Sequence, residues 1–97
     1  VPLHAVPLRV QQFIEAGKAS EAVVMLSTMA EQAQHADQAQ HEFFLRTLLA
    51  QAAHATNNIT LVRAALNRAA TLASALPPDA ARVLTELRST LGVPTTP

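Results

Sequence analysis

Residues 17–36 of this 97-residue chain, GKASEAVVMLSTMAEQAQHA, decide its fold. The apolar side chains of this stretch recur at steps of four, three, one and three, the period of a helix with one buried side: Ala22, Leu26, Met29, Ala30 and Ala33. Ser20 stands just before them, where an N-cap residue accepts a hydrogen bond from a free backbone N–H. The stretch therefore predicts a turn at Gly17 followed by a capped amphipathic helix.

The same pattern returns forty residues later. Ser20 corresponds to Thr60 and Gly17 to Asn57, and glycine and asparagine both tolerate a left-handed backbone. The apolar positions correspond in turn to Val62, Leu66, Ala69, Ala70 and Ala73. Two copies at a fixed spacing indicate stacked repeats, which form surfaces rather than catalytic pockets. We therefore expect residues 8–36 and 48–76 to be duplicate helix hairpins that leave a shallow trough.

Turn residues and caps divide the chain into about five helices. The predicted helices cover about 7–16, 20–35, 38–55, 60–76 and 79–91, with Gly92 ending the last one. Their short links make neighbouring helices antiparallel. The predicted fold is all-α, an antiparallel helix-hairpin array. We expect a lead-in or linker at residues 1–6, a single domain at 7–92 and a tail or linker at 93–97, as in a piece of a larger protein.

The composition limits the partners of this chain. It is 49% hydrophobic but only 3% aromatic, so the core must be built from Ala, Leu and Val. Its one Lys and six Arg are scattered, whereas a nucleic-acid surface needs clustered cations, and we expect no direct nucleic-acid binding. Glu42 and Arg46 are expected to pair on the solvent side of a helix. Without cysteine, a leader or an apolar run of about 18 residues, the sequence predicts a cytoplasmic domain outside membranes.

GKASEAVVMLSTMAE resembles the second half of a tetratricopeptide motif, in which Gly closes one helix and Ala opens the next stripe. Leu49-Ala50 is similar to the Leu-Gly/Ala pair of the motif's first helix, although Arg9-Val10 departs from it and the motif's Trp and Tyr are missing. The forty-residue spacing and the Ala/Leu/Gln-rich composition are similar to the repeats of MalT-type regulators of the LuxR family. The resemblance covers about residues 8–76. It implies an α-α superhelix that recognises a protein or senses a signal in a larger bacterial transcriptional regulator.

Phe44 is the most informative candidate for contact with a partner. If it follows the repeat motif, it lies on the concave side of the array, where an aromatic among polar groups can anchor an extended peptide or a small effector. The sequence does not decide whether Phe43 or Phe44 is the exposed one. The predicted partner-binding face consists of Gln11, Glu15, Phe44, Thr47, Gln51 and His54.

Catalytic and metal-binding motifs are missing from the sequence. His41-Glu42 begins like a zinc-protease helix, but Leu45 occupies the position of the second His. His35, Asp37 and His41 flank one turn without any metal-ligand spacing, so solvated histidines are the simpler interpretation. The serines lack a nucleophile-elbow motif, and two glycines cannot build a phosphate loop. We expect a non-catalytic domain without a metal or a cofactor.

Two alternative functions remain open at this point. One is a self-associating helical bundle, a dimerisation module that forms a homodimer through the first helix and Met25. The other is a small-ligand sensor, with a pocket between the helix pairs that is lined by both Phe43 and Phe44.

Overall fold

The computed structural model describes residues 5–92, and over that range the chain is all-α, as predicted. Its five helices are α1 Val6–Glu15, α2 Ala19–His35, α3 Ala39–Ala55, α4 Ile59–Ala73 and α5 Pro78–Leu91. Residues 1–4 of the predicted lead-in and the whole predicted tail, 93–97, lie outside the described residues. Val6 belongs to α1 and is fully buried, so the domain begins before Pro7.

Three helix links share one turn conformation. Gly17, Asp37 and Asn57 have φ values of 75°, 56° and 60°, which confirms the predicted left-handed backbone at the first and third of them. The residue after each turn residue donates its backbone N–H to a carbonyl five residues back, the Schellman motif that ends a helix: Lys18 to Phe13 at 2.7 Å, Gln38 to Ala33 at 2.9 Å and Asn58 to Ala53 at 3.0 Å. The turns at Gly17, Asp37 and Asn57 therefore recur every twenty residues.

The predicted caps at Ser20 and Thr60 are wrong. Both residues lie inside the first turn of their helices, and α2 begins after Lys18 without a side-chain cap. The cap of α4 is Asn58, whose Oδ1 accepts a hydrogen bond from the backbone N–H of Leu61 at 3.2 Å. The Schellman turn sets where the next helix starts, and it leaves no room for a cap two residues later.

The link between α4 and α5 differs from the other three. α4 ends at Ala73, earlier than the prediction of residue 76, and Leu76 packs against the core from the link. Pro77 and Pro78 start α5 with Asp79 in its first turn, where a carboxylate is favourable. Gly92 ends α5 in a left-handed conformation, as predicted.

α3 is the central helix, and it contacts each of the other four. α1 and α5 each contact α3 and one further helix, whereas α2 and α4 do not touch each other within residues 5–92. The Cα atoms span 34 × 30 × 19 Å, so the helices form a flattened array rather than a bundle closed around one axis. α1, α3 and α5 make one layer of this array, and α2 and α4 make the other.

Small side chains build the interface between the layers. Ala22, Ala30, Ala50, Ala53 and Ala69 are all fully buried. Alanine has the highest helix propensity, and its small side chain lets two helix backbones approach closely. The same residue type therefore favours both helix formation and close helix packing. The larger buried side chains, which fill the space that remains, are Leu26, Leu49, Val62 and Leu66.

Candidate functional site

The outer side of the layer made by α1, α3 and α5 is the candidate site, because the predicted partner-binding residues lie on two of these helices. Gln11, Glu15, Gln51 and His54 are exposed. The Nε2 atom of Gln11 donates a hydrogen bond to Oε1 of Glu15 at 3.2 Å, which places these two side chains side by side on α1. Gln51 stands forty residues after Gln11, at the equivalent position of the next hairpin.

The two adjacent phenylalanines divide between the core and the surface. Phe43 is buried with 8% of its surface exposed, whereas Phe44 is half-buried and packs against the core cluster. Phe44 and Gln51 are seven residues apart and share one side of α3. Phe44 is therefore partly exposed on the side of α3 that also carries a polar side chain.

Thr47 is a correction to the predicted face. It is only 6% exposed, and its hydroxyl donates a 2.7 Å hydrogen bond to the carbonyl of Phe44. α3 is covered on both flanks, by α1 and α2 on one side and by α4 and α5 on the other, and this packing buries Thr47. Its hydroxyl is therefore used inside the protein and does not contact a partner.

The fifth helix adds residues that the sequence did not suggest. Leu45, Leu48 and Ala52 of α3 are buried at spacings of three and four, and α5 has Leu84, Leu87 and Leu91 at the same spacings on its core side. α3 and α5 contact each other, and their apolar side chains match in sequence with an offset of 39. Val83 therefore corresponds to Phe44, Glu86 to Thr47 and Thr90 to Gln51.

These α5 residues remain open to solvent. Val83 is 46% exposed, and Glu86 and Thr90 are exposed. Glu86 escapes the burial of its counterpart Thr47 because no helix of the described chain packs beyond α5. We call the surface made by the three helices the odd-helix face; its residues are Gln11, Glu15, Phe44, Gln51, His54, Val83, Glu86 and Thr90. The α5 contribution was detectable in the sequence, in the equal spacings of the apolar residues on the two helices.

A buried ionic cluster fixes the helix that carries Phe44. Glu42 is only 1% exposed, which corrects the prediction of a solvent-side pair with Arg46. Its carboxylate accepts from Nε of Arg46 at 3.2 Å, from Nε of Arg68 at 2.7 Å and from Nη2 of Arg68 at 3.0 Å. Nη2 of Arg46 also donates to Oε1 of Gln34 on α2 at 3.2 Å. The cluster thus joins α2, α3 and α4.

The ionic cluster determines the charge state of Glu42. The hydrogen bond from Arg68 lowers the pKa of the Glu42 carboxyl below its ordinary value of 4.5, and the bond from Arg46 acts in the same direction, against the opposing effect of burial. The same bond raises the pKa of the Arg68 guanidinium. Glu42 is therefore ionised at neutral pH and has its acceptor sites occupied, so its role in this geometry is structural.

A depression of about 580 Å³ lies on the other layer, between α2 and the turn that joins α3 to α4. It is wide open and uncharged, and its lining residues are Ser20, Val23, Val24, Thr56, Asn57 and Asn58. Neither phenylalanine lines it, so it does not match the pocket expected of a ligand sensor. Met25, expected on a dimer surface, is half-buried and packs against the core.

The histidines do not form a metal centre within residues 5–92, where no three His, Cys, Asp or Glu side chains are grouped for a metal ion. His35, Asp37 and His41 are all exposed around the second turn. None of the described helices is both long and apolar enough to cross a membrane.

Comparison with known proteins gives no relative. No family profile matches the chain, no curated protein matches it and no solved structure matches it. The resemblance to tetratricopeptide repeats and to MalT-type regulators therefore stays a prediction.

Proposed function

We propose that this chain is a non-catalytic recognition domain that binds a protein or peptide partner on the odd-helix face. The observation that carries the proposal is that two partly exposed apolar side chains, Phe44 on α3 and Val83 on α5, lie among exposed polar ones on helices that contact each other. Partly exposed aromatic and aliphatic anchors surrounded by polar groups are typical of protein interfaces.

The array supports this proposal through its rigidity. Phe44 packs against a core of buried side chains, and the ionic cluster around Glu42 holds α3 to its neighbours. A preformed surface loses little conformational entropy on binding, which favours recognition of a flexible segment. The wider setting that we propose is a tetratricopeptide-like repeat in a cytoplasmic bacterial transcriptional regulator of the LuxR type, in which other domains contact DNA.

The test uses one substitution on each layer of the array. Peptides are selected from a random library displayed on phage against the immobilised wild-type domain, and their retention is measured on the variants Val83→Arg and Val24→Arg. Val24 is a matched control because it is also an exposed valine, with 67% of its surface accessible, but it lies on α2. Circular dichroism establishes that both variants fold.

We expect the selected peptides to lose binding to Val83→Arg and to keep binding to Val24→Arg. Equal retention on the two variants, a loss confined to Val24→Arg, or the failure of selection to enrich any peptide would each contradict the proposal.

Self-association is a second candidate, supported by Leu8 of α1, which is 60% exposed. In the alternative predicted from the sequence, α1 contributes to a homodimer surface. Sedimentation equilibrium of the wild type and of Leu8→Glu tests it. A dimer that the substitution converts to a monomer supports self-association, and a wild-type monomer at high concentration excludes it.

A further inference from the structure

We infer that α5 is a displaceable helix, and that the surface beneath it on α3 and α4 binds an amphipathic helix of a partner protein in its place. This surface differs from the odd-helix face, and the inference does not rest on the proposed function. It starts from the way in which α5 is held. Within residues 5–92, α5 contacts α3 and α4 but no other helix, and Leu84 is its one buried residue.

Polar contacts do not tie α5 to the rest of the array. Thr85 and Thr90 donate hydrogen bonds to carbonyls of α5 itself, at 3.0 Å and 2.9 Å. Arg82 pairs with Asp79 of the same helix. In the described part of the chain, no hydrogen bond or ion pair joins α5 to α3 or α4, whereas the ionic cluster around Glu42 joins α2, α3 and α4. Apolar contacts alone therefore hold α5 in place.

Arg88 makes the packing of α5 imperfect. It follows Leu84 by four residues and precedes Leu91 by three, so it lies on the core side of the helix. Its Nε atom is buried and has no hydrogen-bond partner among residues 5–92. A buried donor without an acceptor has lost its bonds to water and gained none in return, so it opposes the packing of α5. An apolar side chain at this position would avoid that loss.

The link before α5 allows the helix to move as a unit. The three earlier links have left-handed turn residues, but this one contains Pro77 in an extended conformation, with φ −56° and ψ 158°. Pro77 and Pro78 have no backbone N–H, so α5 can swing away from α4 without breaking a hydrogen bond donated by either residue. The backbone hydrogen bonds of α5 itself are kept in this movement.

The apolar stripe of α5 shows which kind of helix the surface beneath it accepts. Its residues pack in or against the core and recur at steps of four, three and four: Ala80, Leu84, Leu87 and Leu91. A partner helix with apolar residues at the same steps can make the same contacts, as in other complexes in which a helix binds in a groove. With an apolar residue also at the position of Arg88, the partner makes better contacts than α5 does.

A second copy of this chain is a weaker occupant. Its α5 has the same Arg88, so exchange of α5 between copies gains no contact that the resident helix lacks. The resident helix is also tethered to the surface by the short link at residues 74–77, which gives it a high effective concentration there. A competing helix overcomes this advantage only through better contacts, and the position of Arg88 offers them.

The probe is a labelled peptide with the sequence of residues 77–92 and the substitution Arg88→Leu, titrated with the full chain and followed by fluorescence anisotropy. One control peptide keeps Arg88. The other adds Leu84→Ser and Leu87→Ser to the probe sequence. We expect the probe to bind at least tenfold more tightly than either control, and a probe that binds no more tightly than one of them would overturn the inference.

Matched protein variants test whether the resident helix has to leave. Leu84→Ala weakens the packing of α5 on its core side, whereas Ser89→Ala changes an exposed residue of the same helix. We expect the probe to bind Leu84→Ala at least tenfold more tightly than the wild type and to bind Ser89→Ala within twofold of it. Circular dichroism establishes that both variants fold. Equal affinities for Leu84→Ala and the wild type would contradict displacement.

Hydrogen exchange of the wild-type chain provides a test without any substitution in the protein. With the probe in excess, the amide hydrogens of α5 should exchange at least tenfold faster, because a displaced helix of this length is unstable in water. Those of α3 and α4 should stay protected. Unchanged or slower exchange in α5 would mean that the peptide binds to the intact array, and the inference would be wrong.

The oligomeric state tests the second copy as the occupant. In sedimentation equilibrium, a wild-type dimer that the probe converts to a monomer would mean that α5 exchanges between copies, and the partner-helix inference would be wrong. A wild type that is monomeric without the probe supports the inference. The phage selection depends on the odd-helix face and not on these results, so the two proposals can fail separately.

Discussion

Arg68 of α4 binds Glu42 of α3 through two parallel hydrogen bonds, Nε to Oε2 at 2.7 Å and Nη2 to Oε1 at 3.0 Å. This two-point contact joins the two helices of one hairpin, and the bond from Arg46 to Gln34 of α2 extends the cluster to the other hairpin. Glu42 stands twenty residues after Ala22 and twenty before Val62, and both of those residues are fully buried. A charge therefore occupies a repeat position that is apolar in the flanking helices.

Removing Arg68 should destabilise the domain. In Arg68→Met, the buried Glu42 carboxylate keeps only Arg46, and the loss of one partner of a buried ion pair costs about 3–5 kcal/mol. The Arg68 side chain is 36% exposed, so we expect a smaller loss of about 2 kcal/mol in the free energy of unfolding, measured with urea. The control is Arg63→Met, an exposed site on the same helix, which should change stability by less than about 0.5 kcal/mol.

Replacing the whole cluster should have the opposite effect. The triple variant Glu42→Val, Arg46→Leu and Arg68→Met copies at 42 and 46 the apolar pair that Val62 and Leu66 form in α4. Because apolar replacements of a buried ion triad are often neutral or stabilising, we expect a free energy of unfolding at least equal to that of the wild type. A triple variant less stable than the wild type would show that the charges contribute more than they cost.

The lowered pKa of Glu42 predicts a loss of stability in acid. The unfolded chain binds a proton near the ordinary pKa of 4.5, whereas the folded chain resists protonation until a lower pH. The contribution of the cluster is therefore complete above pH 4.5 and is lost as the pH falls through the folded pKa. We expect the wild type to lose more stability than Glu42→Gln between about pH 6 and pH 3 in urea titrations. Parallel curves would refute this.

The turn residue Gly17 provides a test of backbone strain alone. Its φ is 75°, and a Cβ atom added there would meet no atom within 4 Å, so Gly17→Ala should be destabilised only by the left-handed conformation, by about 1 kcal/mol. Gly17→Asn should be closer to the wild type, because Asn57 adopts the same conformation with φ 60°. Melting temperatures in the order wild type, Asn variant, Ala variant are expected; a reversed order of the two variants would contradict the shared turn.

Asn58 and Thr60 separate the observed cap from the predicted one. Asn58→Ala removes the acceptor of the Leu61 backbone N–H and should lower the free energy of unfolding by about 1 kcal/mol. Thr60→Ala, inside the first turn of α4, should change it by less than about 0.5 kcal/mol. Urea unfolding of both variants gives these free energies. A larger loss of stability for Thr60→Ala than for Asn58→Ala would mean that Thr60 is the cap of α4, as the sequence predicted.

The sequence was sufficient for the helices because their determinants are local. The 3.6-residue stripes and the turn residues Gly17 and Asn57 predict the five helices that the structure has. Asp37 was missed as a left-handed turn residue, although asparagine and aspartate share this tolerance. Ser20 also looked like the N-cap of the amphipathic helix that follows it. The preceding turn instead makes Lys18 the cap residue, so α2 starts at Ala19.

Contacts between distant residues could not be predicted in the same way. The partner that buries Glu42 is 26 positions away, and only the packing of α4 on α3 brings Arg68 to it. Thr47 looked equivalent to its exposed neighbours on α3, but the packing of the other helices around α3 buries it. Val83 and Glu86 were missed because α5 seemed to lie outside the repeat, and its correspondence to α3 depends on the 39-residue offset.

The lack of contact between α2 and α4 bears on how the domain opens. α1 and α5 sit at the two ends, each held by two helices, while α3 touches all the others. Amide hydrogens of α1 and α5 should thus exchange with solvent through partial opening from either end, and those of α3 only when the whole domain unfolds. A peptide bound across α1, α3 and α5 would hold both end helices to α3 and slow this exchange, so binding would be measurable as protection of the amide hydrogens of α1 and α5.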